Sequence, residues 1–506
     1  MKPASLSAAK DRFKNTPRKL IQRLQSQRDN MMSEPFILRV VDRNTLQSIH
    51  EQSIQLLARA GVIFDNGNII RRFSRKGQQV DGKRVYLSES LISEALEMTP
   101  KSFTMIGRNG ASVRIGKHQE TTVVAPGNGT LFIQDLEGRR RLATLTDFDN
   151  IVKLCENSRN VNLVGSIPVE PSDLTGQFKP AILVHHLMRH SNKPLIGQVA
   201  TFEEARQVFD IIEIAFGQKG ILDDHVAIAY GVNPASPLFF EPLTCETLQA
   251  YAEKKQALFI LPGLMPGLTG PMDFKGLAVL SNAENLAALT CTQMINPGTP
   301  VVYSAGTFMV NMKNFYAVTG SPQSALVNIA GIQMAREYYG LPSRTMAGLT
   351  DAKRVDFQAG AETMQNLTLY SMAGVNMINE CLGVLDSITT TSYEKWILDD
   401  ELLNRLRVFS AGIDQVATDS CLDMMIALGP GGSYLQHPST LQNCRSLYMP
   451  EISDWNTFED WEKGGARDLL QIAQEKCNQM LAEQKEMILP EELDLEIEAY
   501  LESAKS

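Results

Sequence analysis

From about residue 120 onward, short runs of β-branched and apolar residues alternate with longer segments whose apolar positions recur at helical spacing. Eight runs stand out: Thr121–Ala125, Val161–Ile167, Pro194–Val199, Val226–Gly231, Ala257–Leu261, Pro300–Tyr303, Arg344–Ala347 and Val375–Asn379. Helix starts fall between them. Thr146 and Asp147 precede Phe148, Ile151 and Leu154; Asp273 precedes Leu277 and Leu280; Ser321-Pro322 precedes Leu326, Ile329 and Ile332. Eight strand–helix repeats over 121–392 predict a closed parallel barrel, a TIM-like (β/α)8 fold of the α/β class. A doubly wound open sheet would show the same alternation. Against it, no Gly-x-Gly-x-x-Gly follows the first run and no Walker-type phosphate loop occurs.

The rest of the chain divides around that barrel. Residues 1–30 form a basic arm, and 31–120 an N-terminal α+β cap with a helix across Asp42–Ala60. Four short strands are expected in the cap, at Val62–Phe64, Val85–Leu87, Phe103–Met105 and Val113–Ile115. Residues 393–506 form a helical C-terminal extension that carries a Gly-rich loop.

In a parallel barrel the segments after the strands share one rim, which is where chemistry is expected. These segments are Pro126 to Gly129, Pro168 to Asp173, Gln198, Asn233-Pro234, Pro262 to Pro266, Ser304 to Thr307, Gly348 to Lys353, and Glu380. Glu380 is a carboxylate in an otherwise apolar or small run, which requires a partner or a cation. Asp351 and Lys353 sit in a loop of mixed charge after the seventh run. The Gly429-Pro430-Gly431-Gly432-Ser433-Tyr434-Leu435-Gln436-His437-Pro438 stretch combines residues chosen for backbone shape with one phenol and one imidazole. A structural turn would explain it alone, whereas its place after eight repeats suggests a wall of the barrel mouth.

Composition narrows the function classes. With 43% hydrophobic and 21% charged residues the chain is an ordinary globular protein, and a net charge of −9 argues against general nucleic-acid binding. No apolar run is long enough to span a bilayer, and a cytoplasmic location is expected. The seven cysteines are scattered without a Cys-x-x-Cys pair, so neither a disulfide framework nor a metal bound by this chain is expected. The aromatics Tyr303, Phe308, Phe315, Tyr316, Phe357 and Tyr434 could wall a methylated ammonium, which has no N–H and is held by ring faces and carboxylates.

Several segments together resemble the trimethylamine methyltransferase family of corrinoid-dependent enzymes, in particular its branch without pyrrolysine. They are His185-His186 to Pro194, Asn233-Pro234-Ala235-Ser236-Pro237-Leu238, Gly267 to Pro271, Asn282 to Ala287, Asn296 to Tyr303, Tyr339-Gly340-Leu341-Pro342, Thr350 to Lys353, Gln358-Ala359-Gly360, and Gly429 to Pro438 with Thr440-Leu441 and Arg445. The resemblance implies methyl transfer from a quaternary amine, such as glycine betaine, proline betaine or carnitine, to Co(I) of a corrinoid on a small partner protein. It also implies a homo-oligomer. Founding members carry pyrrolysine near the segment corresponding to Gly348–Asp356; only standard residues stand there in this chain, which turns the expectation from trimethylamine to quaternary amines.

On that basis Asp351, Glu380 and His437 are the expected catalytic residues, and Tyr303, Phe308, Lys353, Phe357, Tyr434 and Asn128 the expected substrate contacts. Gly431, Gly432, Tyr434 and His437 are expected to face the corrinoid. Two other readings stay open. One is zinc-dependent transfer from a neutral substrate, using His437 with Cys444 and Cys381; the other is a non-catalytic quaternary-amine binding protein.

Overall fold

The computed structural model describes residues 37–119, 121–176, 178–412, 420–445, 447–483 and 487–505, and the basic arm expected over 1–30 lies outside them. Two compact units emerge, one of residues 37–400 with 467–506 and one containing 401–466.

The larger unit is built on eight parallel strands: β1 (Val123–Pro126), β2 (Val164–Gly165), β3 (Leu195–Ile196), β4 (Ile228–Val232), β5 (Ala257–Ile260), β6 (Val301–Ala305), β7 (Ser343–Met346) and β8 (Met377–Cys381). Each overlaps one of the eight runs read from the sequence. Every strand from β2 to β8 pairs with the next in parallel register, and β8 pairs with β1. The ring closes between β1 and the segment leading into β2. There the Asn162 and Leu163 amides donate to the Val124 carbonyl at 2.8 and 3.3 Å, and the Asn162 side chain accepts from the Val124 amide at 2.9 Å.

A helix follows each strand: α1 (Leu145–Asn157), α2 (Lys179–His190), α3 (Phe202–Ala215), α4 (Pro242–Glu253), α5 (Phe274–Ile295), α6 (Pro322–Gln333), α7 (Phe357–Met372) and α8 (Tyr393–Ala411). Asp273 and Ser321 cap α5 and α6 as expected. The first helix starts slightly earlier than expected. Thr144 is its N-cap and Asp147 the reciprocal partner in a capping box, which satisfies two amide donors that the helix leaves open.

The cap contains the expected helix, Arg43–Arg59, and the four expected strands. Its hairpin Ser102–Ile106/Ser112–Gly116 plugs the barrel. Met105 and Ile115 pack in one buried cluster with Val123, Ala125, Leu163, Ile196, Ala229, Ala257, Phe259, Val302 and Met377. Ile106 hydrogen-bonds Val226 ahead of β4, and Arg108 bonds Asn192 ahead of β3, so the plug closes the N-terminal ends of the strands.

The expected 393–506 extension divides by its contacts. Helices Leu469–Glu483 and Glu491–Lys505 belong to the barrel unit, packing on α1, α2 and α3, because each buries an apolar stripe that includes Ala473, Cys477, Ile497 and Leu501. Residues 401–466 carry the short helices Ser420–Leu428, Pro438–Asn443 and Phe458–Lys463. Within that unit the Glu401 carboxylate accepts the Ile452 amide at 2.6 Å, and the Arg405 guanidinium lies 5.9 Å from the Trp455 ring. No described helix is long and apolar enough to cross a membrane.

Candidate active site

Side chains alternate along a strand, so Val302 in the barrel core places Ser304 inward as well, and β6–β7 pairing sets Arg344 beside Ser304. Arg344 is fully buried, its guanidinium 5.3 Å from the Phe259 ring. The neighbouring strand supplies a carboxylate. Pairing of β8 with β1 slips between Ile378 and Cys381, and Glu380 takes a left-handed backbone with φ +57°. That bulge re-aims a residue at the C-terminal end of the strand. The sequence reading puts Glu380 just past the strand; it lies inside it, because the strand continues to Cys381 through the bulge.

Arg344 Nη2 and Glu380 Oε1 stand 3.9 Å apart, opposite charges beyond hydrogen-bonding reach. Around them lie buried polar atoms without a hydrogen-bond partner among the described residues: all three guanidinium nitrogens of Arg344, Oε2 of Glu380, Oδ1 of Asn379 and Oγ of Ser304. Burial pushes the Glu380 carboxyl up to about 7, only partly opposed by Arg344 and by the Asn128 amide. Burial likewise lowers Arg344 to about 10. Each partner therefore lacks enough from the other to offset its lost hydration. A buried pair left this open is costly, and a ligand bearing both charges would complete it.

The surrounding loops hold Glu380 in place. Gly348 donates its amide to the Glu380 carbonyl at 3.2 Å, and a Cβ on Gly348 would stand 2.6 Å from the Cys381 Cα, so only glycine fits. Beneath, the fully buried Lys395 on α8 reaches Asp399 at 2.6 Å, Thr363 at 3.0 Å and the Gly348 carbonyl at 3.5 Å. Asp399 also accepts the Gly383 amide at 2.8 Å. One ion pair thus ties together the loops after β7 and β8. Lys395→Met, which strands Asp399, is expected to cost about 3–5 kcal/mol of stability, read as a lower denaturant midpoint. Adding Asp399→Asn should recover part of that loss.

The other expected site residues fall in different places. Asp351 braces the loops: its carboxylate accepts the Thr319 and Gly320 amides at 2.8–3.1 Å and the Ser387 hydroxyl at 2.6 Å. Tyr303 points out of the barrel into the helix layer, because Val302 and Ser304 point in; its hydroxyl donates to Asn282 at 3.0 Å. Phe357 is 90% exposed at the start of α7, away from any enclosing wall. Lys353 is exposed and paired with Asp386 at 2.7 Å. Phe308 packs with Met346, Leu349 and Val384, and the Asn128 side chain accepts the Ile167 amide at 3.1 Å while its own amide faces Glu380.

Gly431, Gly432, Tyr434 and His437 belong to the 401–466 unit, where the first three are exposed. Gly429 and Gly431 take positive φ, as a glycine turn requires. His437 caps the helix Pro438–Asn443, its Nδ1 accepting from the Ser439 amide at 3.2 Å. Of the residues of the zinc alternative, Cys381 is fully buried in the barrel unit, whereas His437 and Cys444 belong to the 401–466 unit. Arg344 is the residue that the sequence reading passes over. Its signal was a guanidinium inside a barrel strand, where a cation needs a partner.

A closed parallel barrel with a half-satisfied ion pair at the C-terminal end of β8 defines the class: a β/α-barrel protein with an open charged pair at its candidate site. The chain matches the model of the trimethylamine methyltransferase (MTTB) family over residues 9–506, and it belongs to that family. It is 34% identical over 464 residues to a glycine betaine methyltransferase of Desulfitobacterium hafniense (strain Y51), covering 91% of this chain and 96% of the relative. A proline betaine:corrinoid methyltransferase of Eubacterium limosum is 29% identical over 411 residues, covering 79% and 84%. The Methanosarcina barkeri monomethylamine methyltransferase has the same fold, with a TM-score of 0.51 at 10% identity over 93% of both chains.

Proposed function

We propose that this protein removes a methyl group from a quaternary amine bearing a carboxylate, of the glycine betaine, proline betaine or carnitine kind, and delivers it to a corrinoid on a small partner protein. The family and the substrates named for the relatives support the reaction type. The observation that carries the substrate class is the separated Arg344–Glu380 pair, with unpartnered atoms on both members. A betaine is its complement. The carboxylate suits the planar fork of Arg344, which presents several donors at once. The ammonium has no N–H to offer, and the Glu380 carboxylate with Asn379 Oδ1 provides the negative field that holds it.

The partner's reduced cobalt supplies the nucleophile that takes the methyl carbon. The C–N bond breaks, and its electron pair stays on the nitrogen of a neutral tertiary amine. Protonating the leaving group is unnecessary, so the chain needs no general acid. Its own residues align one N-methyl group with the mouth and keep water from the ion pair, and they use binding energy at the carboxylate end to hold that alignment.

The test is to combine the purified chain, a reduced corrinoid protein and a substrate panel, following methyl-corrinoid formation by absorbance. Transfer is expected from zwitterionic betaines and not from choline or tetramethylammonium, which lack the carboxylate. Failure with every betaine would sink the proposal.

A further inference from the structure

On the outer wall of the barrel three side chains of the metal-ligating type meet, and the proposed reaction uses none of them. Asp149 stands on α1; His186 and His190 stand on α2, four residues apart and so on one face of the helix. His186 Nδ1 lies 2.8 Å from Asp149 Oδ1, and His190 Nε2 lies 3.6 Å from the same oxygen. One donor atom from each of the three falls within 4.8 Å of the other two. Zinc bonds of about 2.0–2.1 Å meeting at a tetrahedral angle separate their ligand atoms by about 3.3 Å. The two observed distances bracket that spacing, so small side-chain rotations would seat an ion.

The chemistry of the set is selective. Two imidazoles with one carboxylate suit zinc and its transition-metal neighbours, whereas calcium and magnesium take oxygen ligands. The donors are also sheltered: the side chains of Asp149, His186 and His190 are 20%, 15% and 8% exposed. The segment His185-His186 to Pro194, singled out in the sequence, is left without a role by the methyl-transfer site.

We propose that Asp149, His186 and His190 form a zinc-type site that clasps α1 to α2, with solvent completing the coordination. The clasp lies beside the anchor of the C-terminal helix, since Asp494 accepts from Arg189 at 2.6 Å and sits 2.6 Å from His185 Nε2. Its role is structural, and the ion takes no part in methyl transfer.

The intact protein, freed of metal by dialysis against a chelator, is titrated with zinc chloride against a chromophoric competitor, and separately with Co(II). The expected result is stoichiometric zinc with a tetrahedral Co(II) visible spectrum, and a Tm raised by zinc. His190→Gln and Asp149→Asn should each weaken binding by about tenfold or more and abolish the Tm rise. Cys444→Ser, which removes an exposed thiol elsewhere, should leave binding unchanged. Asp149→Asn is nearly isosteric, so a circular dichroism melt shows that it is folded. Zinc bound equally by wild type and both variants, or no tetrahedral Co(II) spectrum with no Tm rise, overturns the site.

Discussion

Arg344→Leu is expected to lower kcat/KM for a betaine by about a hundredfold to a thousandfold, the loss typical of truncating one member of a buried charge–charge contact. The effect should concentrate on substrates with a carboxylate. Wild type should bind a betaine far better than tetramethylammonium, and Arg344→Leu should erase that preference. Arg344→Lys keeps the charge but loses the planar fork, so it should fall between the two. The variant should fold: removing the cation lets Glu380 take up its proton, which avoids an isolated buried charge. A betaine kcat/KM within about threefold of wild type in a folded Arg344→Leu protein would remove the guanidinium from the site, because a true charge–charge contact loses far more.

Glu380→Gln should show its largest effect as a change in pH dependence. In wild type the carboxyl titrates near 7 rather than at its ordinary 4.5. The anion that would hold the ammonium on the proposed reading therefore accumulates only as pH rises through about 7, and betaine binding at neutral pH should release a proton. The Gln variant should bind about a hundredfold more weakly than wild type at alkaline pH, a loss of order the screened Coulomb attraction of one buried charge. It should show no rise through neutrality. Isothermal titration in two buffers of different ionisation enthalpy reads the proton directly.

Stability runs in the opposite sense. A raised carboxyl holds its proton more tightly folded than unfolded, so its contribution is full below 4.5 and is lost as pH climbs through about 7. Glu284, also pushed to about 7 by burial, adds to the same slope. The variant should flatten that slope without abolishing it. A Gln variant with an unchanged pH profile for betaine binding would take Glu380 out of ligand binding.

Strands buried on both faces read as continuous apolar runs, and polar caps at Thr144, Asp273 and Ser321 mark helix starts between them, so the barrel could be located from the sequence. All eight runs became strands, and the cap strands stand where the short apolar triplets predict. The site was less legible, because facing depends on single-residue register. Tyr303 follows Val302 by one position, which is enough to turn it from the barrel interior to the helix layer. Asp351 looked available because its partners, Thr319, Gly320 and Ser387, are distant in sequence. Arg344 was passed over at the start of a strand run, between Ser343 and Thr345, and its partner Glu380 reaches it only through a bulge that no composition signals.

The Ser102–Gly116 hairpin that plugs the barrel bears on the traffic of the proposed reaction. Met105 and Ile115 fill the barrel at the N-terminal ends of its strands, opposite the Arg344–Glu380 pair. On the proposed reaction, the amine left after demethylation must leave by the mouth that the methyl acceptor approaches. Departure of the partner should then precede release of the amine, and a large excess of partner is expected to slow turnover.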